Sequence, residues 1–258
     1  MENYAKKLAL NHKVQKGSKS STFPINKMLR DFSYIGETYD ILNESISKDV
    51  PIPPSGEWIL DNYYLIEEQV DCIKKELSLP KYKSLPSIDG TSRIYIVAKE
   101  MVKYTDANIT ENTIERFITA YQTKKNISMD ELWLLPVMIK IALVEYIKEL
   151  SEKIKVSQLQ KFKVESLVER LVTNKSQNEQ RFHKYKNIII DNEATSYVEY
   201  LIYLLKKCGN EGMSYIKVLE EEINKVGTTS NDVIRVEHYD QAVRRVSMGN
   251  SITSLRHI

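Results

Sequence analysis

The chain has 258 residues, 42% hydrophobic and 28% charged, which excludes a disordered polymer and suits one large or two small domains with buried cores. Lys and Arg number 37 against 35 Asp and Glu, so a net charge of +2 supplies no field to gather nucleic acid or an acidic membrane. Cys72 and Cys208 lie too far apart for a CxxC metal or redox frame and read as buried reduced thiols.

The first 16 residues are polar and amphipathic and lack the apolar core of a signal peptide. Apolar residues then recur at three- and four-residue spacing almost throughout, which predicts an all-α protein, a multi-helix bundle or an array of antiparallel helix pairs. Tyr4 to Val14 reads as a first helix and Lys16 to Ser21 as a flexible connector. A second helix carries Met28, Phe32, Ile35, Tyr39 and Leu42 on one face, and Asp49 to Gly56 breaks it with three prolines and a glycine. Ser55 is a candidate N-cap for a third helix with Ile59, Tyr63, Ile66, Val70 and Ile73 inward. Leu79 to Gly90 reads as a proline-punctuated crossing. Helices over Arg93 to Tyr104 and Glu111 to Gln122, the second capped by Thr110, form a short antiparallel pair.

Ser128 and Glu131 form a capping box for a helix from Met129 to about Ile154, bent by Pro136 or starting after it. Its apolar part, Leu132 to Ile147, is broken by Pro136, Lys140 and Glu145 and falls short of a membrane span. Lys155 to Asn178 continues helically with Leu159, Phe162, Leu167 and Leu171 inward. Ile188 to Glu193 is the best internal boundary, so 1–258 reads as one helical domain with subdomains 1–187 and 188–258. Thr195 to Lys207, Met213 to Val226 and Asp232 to Met248 each end at a glycine, Gly209, Gly227 and Gly249.

The densest polar-aromatic block is Glu57-Trp58-Ile59-Leu60-Asp61-Asn62, where Glu57 and Asp61, and Trp58 and Asn62, stack one helical turn apart. Carboxylates beside an indole occur in carbohydrate sites, where acids move protons and aromatics stack on sugars. Helix capping with ion pairing to a neighbour such as Arg93 is the favoured reading of Glu57 and Asp61 over a direct catalytic role. Glu131 and Trp133 repeat the theme at another helix start, and the two starts are expected to pack around a polar network with Tyr95, Tyr121 and Gln122. In the structural version of that reading both indoles are buried; in the sugar version both stand exposed in a groove. The histidines show no metal-ligand spacing, and no phosphate loop or nucleophile elbow occurs. Arg244 to Arg256 suits an anion or the capping of a further helix begun at Ser251 or Ser254, which implies a sequence continuing past Ile258.

Five ordered blocks carry a family resemblance: Pro54 to Tyr64 with Glu67-Glu68-Gln69; Tyr82 to Pro86; Arg93-Ile94-Tyr95 with Ala98; Phe117 to Gln122 followed by Glu131-Leu132-Trp133 and Pro136; and Val246 to Arg256. Together they resemble the N-terminal region of cyclic β-1,2-glucan synthases, large bacterial inner-membrane enzymes. The resemblance implies a membrane-embedded glycosyltransferase elsewhere in the parent, using UDP-glucose, with this chain as its cytoplasmic helical scaffold. It implies as partners the rest of that parent and β-1,2-glucan, with no nucleic acid, no cofactor or metal in this chain and no direct membrane span. Glu57, Trp58, Asp61, Asn62, Glu131, Trp133, Asn250 and Arg256 match the family blocks and, with Arg93, Tyr121 and Gln122, are the candidate structural or sugar-contact residues. No catalytic residue carries over. A carbohydrate-binding module built on Trp58 and Trp133, and a glycoside-processing enzyme using Glu57, Asp61 and Glu131, are the alternatives.

Overall fold

The computed structural model describes residues 1–13, 24–173 and 195–258. The fold is all-α. Its helices are α1 (Glu2–Asn11), α2 (Pro24–Ser47), α3 (Pro54–Glu76), α4 (Leu79–Lys83), α5 (Arg93–Tyr104), α6 (Glu111–Gln122), α7 (Met129–Thr173), α8 (Thr195–Lys207), α9 (Gly209–Lys225) and α10 (Ser230–His257). A two-residue hairpin, β1 (Ser87–Ile88) and β2 (Thr91–Ser92), precedes α5. The connector at 16–21 and the boundary at 188–193 fall outside the described residues.

Compactness divides the chain into two units, neither continuous in sequence. The first comprises Met1–Asp40, Ser55–Glu152 and Arg245–Ile258; the second comprises Ile41–Pro54 and Lys153–Arg244. In the first unit, Met28 and Ile35, Ile59, Ile66 and Ile73, Val97 and Met101, and Met138, Leu143 and Ile147 are all buried at helical spacing. Each such side chain contributes roughly 1.5–3 kcal/mol of transfer free energy, which makes burial the main force holding these helices together. In the second unit, Val164, Leu167 and Leu171 of α7 pack with Leu201 and Leu205 of α8 and Ile216, Leu219 and Ile223 of α9. Lys161 is buried there, donating to the Pro51 carbonyl at 2.8 Å, and burial lowers its pKa.

Several expectations need correction. Ser55 lies inside α3, whose first residue is Pro54, and its buried hydroxyl finds no hydrogen-bond partner among the described residues, so it is not the cap. The proline at the helix start is favoured instead, since its missing N–H would be unpaired there anyway. Met129 to Thr173 is one helix running through Pro136. Pro136 faces solvent, while Leu135, Val137, Met138 and Ile139 around it are buried and hold the turn that lost its bond.

The crossing at 79–90 contains the hairpin. Ser87 pairs with Ser92 and Ile88 with Thr91, and Asp89 and Gly90 take φ of 49° and 78°. Two left-handed residues between paired strands make the tight hairpin turn for which Asp-Gly is the sequence signal. Gly249 ends nothing, because α10 runs on to His257, so Ser251 and Ser254 start no new helix. Gly209 and Gly227 do adopt positive φ, 64° and 83°. Leu159 is exposed, and both cysteines are free thiols, half-buried rather than buried.

Candidate functional site

The start of α3 faces the end of α10. Trp58 is half-buried, and its ring lies over Gly249: a Cβ there would sit 3.2 Å from Cζ2 and 3.3 Å from Cε2. Glycine in mid-helix sacrifices backbone entropy, and here it makes room for an indole. One turn on, Asn62 donates to the Trp58 carbonyl at 3.0 Å and accepts from Arg256 at 2.8 Å. Glu57 and Asp61 are exposed to solvent.

The rest of the α10 end clamps the loop between α5 and α6. Asp106 and Ala107 there adopt φ of 50° and 59°, a left-handed conformation that costs a non-glycine residue roughly 1–2 kcal/mol. The strain is offset by several hydrogen bonds. Ser247 and Tyr146 donate to the Asp106 carboxylate at 2.8 and 2.6 Å, and Asn250 donates to the Asp106 carbonyl at 3.1 Å. Ser254 donates to the Ala107 carbonyl at 2.6 Å and accepts from the Ile109 N–H at 2.9 Å. The hydroxyls and amide of the tail are therefore spent on this loop, on its backbone and on the Asp106 carboxylate, while Arg244 pairs with Glu237 and Arg256 with Asn62.

At the start of α7 the acid is the buried partner. Glu131 is 0% exposed. Its carboxylate accepts from the Ser128 N–H and hydroxyl, each at 2.9 Å, and its own N–H donates to Ser128 Oγ at 3.4 Å, completing the capping box. The same carboxylate takes both arms of Arg93, Nε at 2.8 Å and Nη2 closer still. The hairpin delivers Arg93 as the first residue of α5, with its N–H donating to the Pro86 carbonyl at 2.8 Å. Burial works to lower the Arg93 pKa, but Glu131 outweighs it and raises it. Bidentate, desolvated and capped, this pair depends on every partner being present.

Tyr121 lies beside Arg93, and burial pushes its pKa up to about 12. Its hydroxyl meets His12 Nδ1 at 2.7 Å, and Lys125 donates to the His12 carbonyl. Burial, with the Lys125 and Arg93 charges, lowers the His12 pKa. A second buried acid on α7, Glu145, receives Tyr95 at 2.6 Å, Lys99 at 2.8 Å and Lys27 at 2.9 Å. Burial alone would raise its pKa, yet these donors hold it at about 2.

The expected pairing of Arg93 with the α3 acids is thus replaced by Arg93 with Glu131. The two tryptophans do not share a site either. Trp133 is 77% exposed and lines a cleft with Glu76, the last residue of α3, whereas Trp58 is in the second turn of α3, about 27 Å away along that helix. Trp133 is therefore not a buried indole, and Trp58 is not an exposed platform beside it. Gln122 ends α6 half-buried, while Tyr95 belongs to the Glu145 cluster. His12, Lys125, Glu145 and Asp106 were not among the expected residues. Lone polar residues within apolar periodicity were the available signal for His12 and Glu145, but their partners lie 109 and 50 residues away.

Taken together, these contacts define an all-helical protein whose signature side chains mostly brace helix ends and loops against one another. No protein-family model matches the chain. Over 215 residues, 80% of its length, it is 23% identical to the cyclic beta-(1,2)-glucan synthase NdvB of Rhizobium meliloti (strain 1021). The chain is a distant relative of that synthase family, and it spans only 7% of the length of the curated relative it matches. Among the described residues, no helix is long and apolar enough to cross a membrane.

Proposed function

We propose that this chain is a non-catalytic helical scaffold domain of a cyclic β-1,2-glucan synthase-like glycosyltransferase that uses UDP-glucose. In this reading it lies on the cytoplasmic side, against the membrane-embedded catalytic part of the parent protein. The observation that carries the reading is the pairing of the resemblance blocks with each other: Trp58 with Gly249, Asn62 with Arg256, Arg93 with Glu131. Side chains used in this way position helices and leave few groups to meet a substrate. Glu131, the best-placed acid, has its carboxylate occupied by Arg93 and Ser128, and a general acid or base needs a path to the reacting atom.

The test is direct. The purified chain, incubated with UDP-glucose, is expected neither to hydrolyse it nor to extend a glucan primer. Turnover that survives repurification and is lost in Glu57→Gln or Asp61→Asn would overturn the scaffold reading in favour of an enzyme. One observation supports an added sugar-contact role, the open indole of Trp133.

A further inference from the structure

Trp133 occupies the second turn of α7 and leaves 77% of its surface in water. An indole is the largest apolar side chain, and its flat, polarisable faces are usually packed. It does not stand alone. It lines a cleft of about 430 Å³ together with Asp130 one turn earlier, Leu134 and Val137 behind it, Glu76 at the end of α3, and Ser84 just after α4. That volume falls in the range of small-molecule sites, roughly 300–1,000 Å³. Val137 is buried, so the floor is apolar, while the Asp130 and Glu76 carboxylates are exposed at the walls.

We infer that this cleft is a binding subsite for a neutral saccharide, with the Trp133 indole as stacking face and the Asp130 and Glu76 carboxylates as acceptors for sugar hydroxyls. Charge decides the ligand class. The six described lining residues carry two carboxylates and no cation, so a nucleotide diphosphate or a phosphorylated sugar is repelled. A pyranose matches on both counts: its C–H face is apolar enough to lie on an indole, and its equatorial hydroxyls donate at the rim to ionised acceptors. A site with one platform and solvent-exposed acceptors is shallow, and it holds a chain segment weakly instead of sequestering a monomer. The inference is separate from the scaffold proposal, because binding and turnover are read independently.

The experiment is a titration of the 258-residue chain, followed by tryptophan fluorescence, with a short linear β-1,2-linked gluco-oligosaccharide. A β-1,4-linked oligosaccharide, UDP-glucose and tetramethylammonium chloride serve as comparison probes. The expected result is a saturable change with a dissociation constant on the order of 1 mM for an oligosaccharide. It should be absent in Trp133→Ala, weakened about tenfold in Asp130→Asn, and partly restored in Trp133→Tyr, with unchanged far-UV circular dichroism throughout. Trp58 remains in the Trp133→Ala variant as an internal reference, so a response persisting there overturns the assignment. Saturation by UDP-glucose or tetramethylammonium at lower concentration than by either oligosaccharide also overturns it, as does failure of both oligosaccharides to saturate.

Discussion

At the start of α3 the tryptophan is packed and the acids are in water; at the start of α7 the acid is buried and the tryptophan is in water. Both helices carry a carboxylate and an indole near their starts, and Glu57, Trp58, Glu131 and Trp133 all lie in the first compact unit. The difference arises from what a distant segment brings to each end. α10 offers α3 a side chain of minimal volume, Gly249, and a donor for Asn62, Arg256. The hairpin offers α7 a cation, Arg93, whose two-armed fork the Glu131 carboxylate satisfies. Identical local chemistry thus acquires opposite roles, and the selecting residues lie 38 positions away in one case and 194 in the other.

The strongest way to break this comparison is at Glu131. Glu131→Ala removes one partner of a buried ion pair together with the capping box, and should cost about 3–5 kcal/mol, measured as a lowered urea midpoint. A loss below about 1 kcal/mol would mean that α7 is not anchored by its acid. Acidification probes the same helix differently. The folded pKa of Glu145, about 2, lies below its ordinary 4.5, so its contribution is complete above about pH 4.5 and is lost as pH falls toward 2. His12 adds an earlier loss, because its lowered folded pKa means that stability declines once the pH drops below 6.5. The urea midpoint should fall progressively from about pH 7 to about pH 3, and Glu145→Gln should flatten the lower part of that curve.

At the α3 end, Gly249→Leu forces a side chain into the space of the Trp58 ring and should destabilise by about 1–3 kcal/mol, with a change in Trp58 emission. The smallest effect is expected at Trp133, where Trp133→Ala should shift stability by less than about 0.5 kcal/mol because the ring is exposed. Equal costs for Trp58→Ala and Trp133→Ala would dissolve the distinction between the two helix starts.

Much of this was legible in the residues, for local reasons. Helices α5, α6 and α8 have the bounds that periodicity and caps predict, and the capping box of Ser128 and Glu131 forms with the expected bonds. The Thr110 hydroxyl caps α6, accepting from the Thr113 N–H at 3.2 Å. Local rules failed where a tertiary partner overrode them. Gly249 looks like a helix stop because glycine usually serves there, but only the approach of an indole from α3 explains it as an interior residue. Pro136 looks like a break, and burial of its neighbours carries the helix through. The hairpin was missed although Asp89-Gly90 announces it, since a two-residue strand leaves no alternation to detect. For the site, the candidate residues were identifiable by type, but which of them meet was not. Pairings such as Tyr95 with Glu145 depend on helix packing that no spacing encodes.

The clamp on the α5–α6 loop also has a consequence in time. Ser247, Asn250 and Ser254 reach back 141, 144 and 147 positions to Asp106 and Ala107. A ribosome releases the loop on the order of ten seconds before it releases those residues. During that interval the left-handed pair has Tyr146 on the Asp106 carboxylate but none of its α10 partners, while the long Lys153–Arg244 part of the second unit is synthesised. Residues 245–258 are therefore a late clamp on a loop made long before them, and a nascent chain halted at Arg244 lacks the hydrogen bonds of Ser247, Asn250 and Ser254 to that loop.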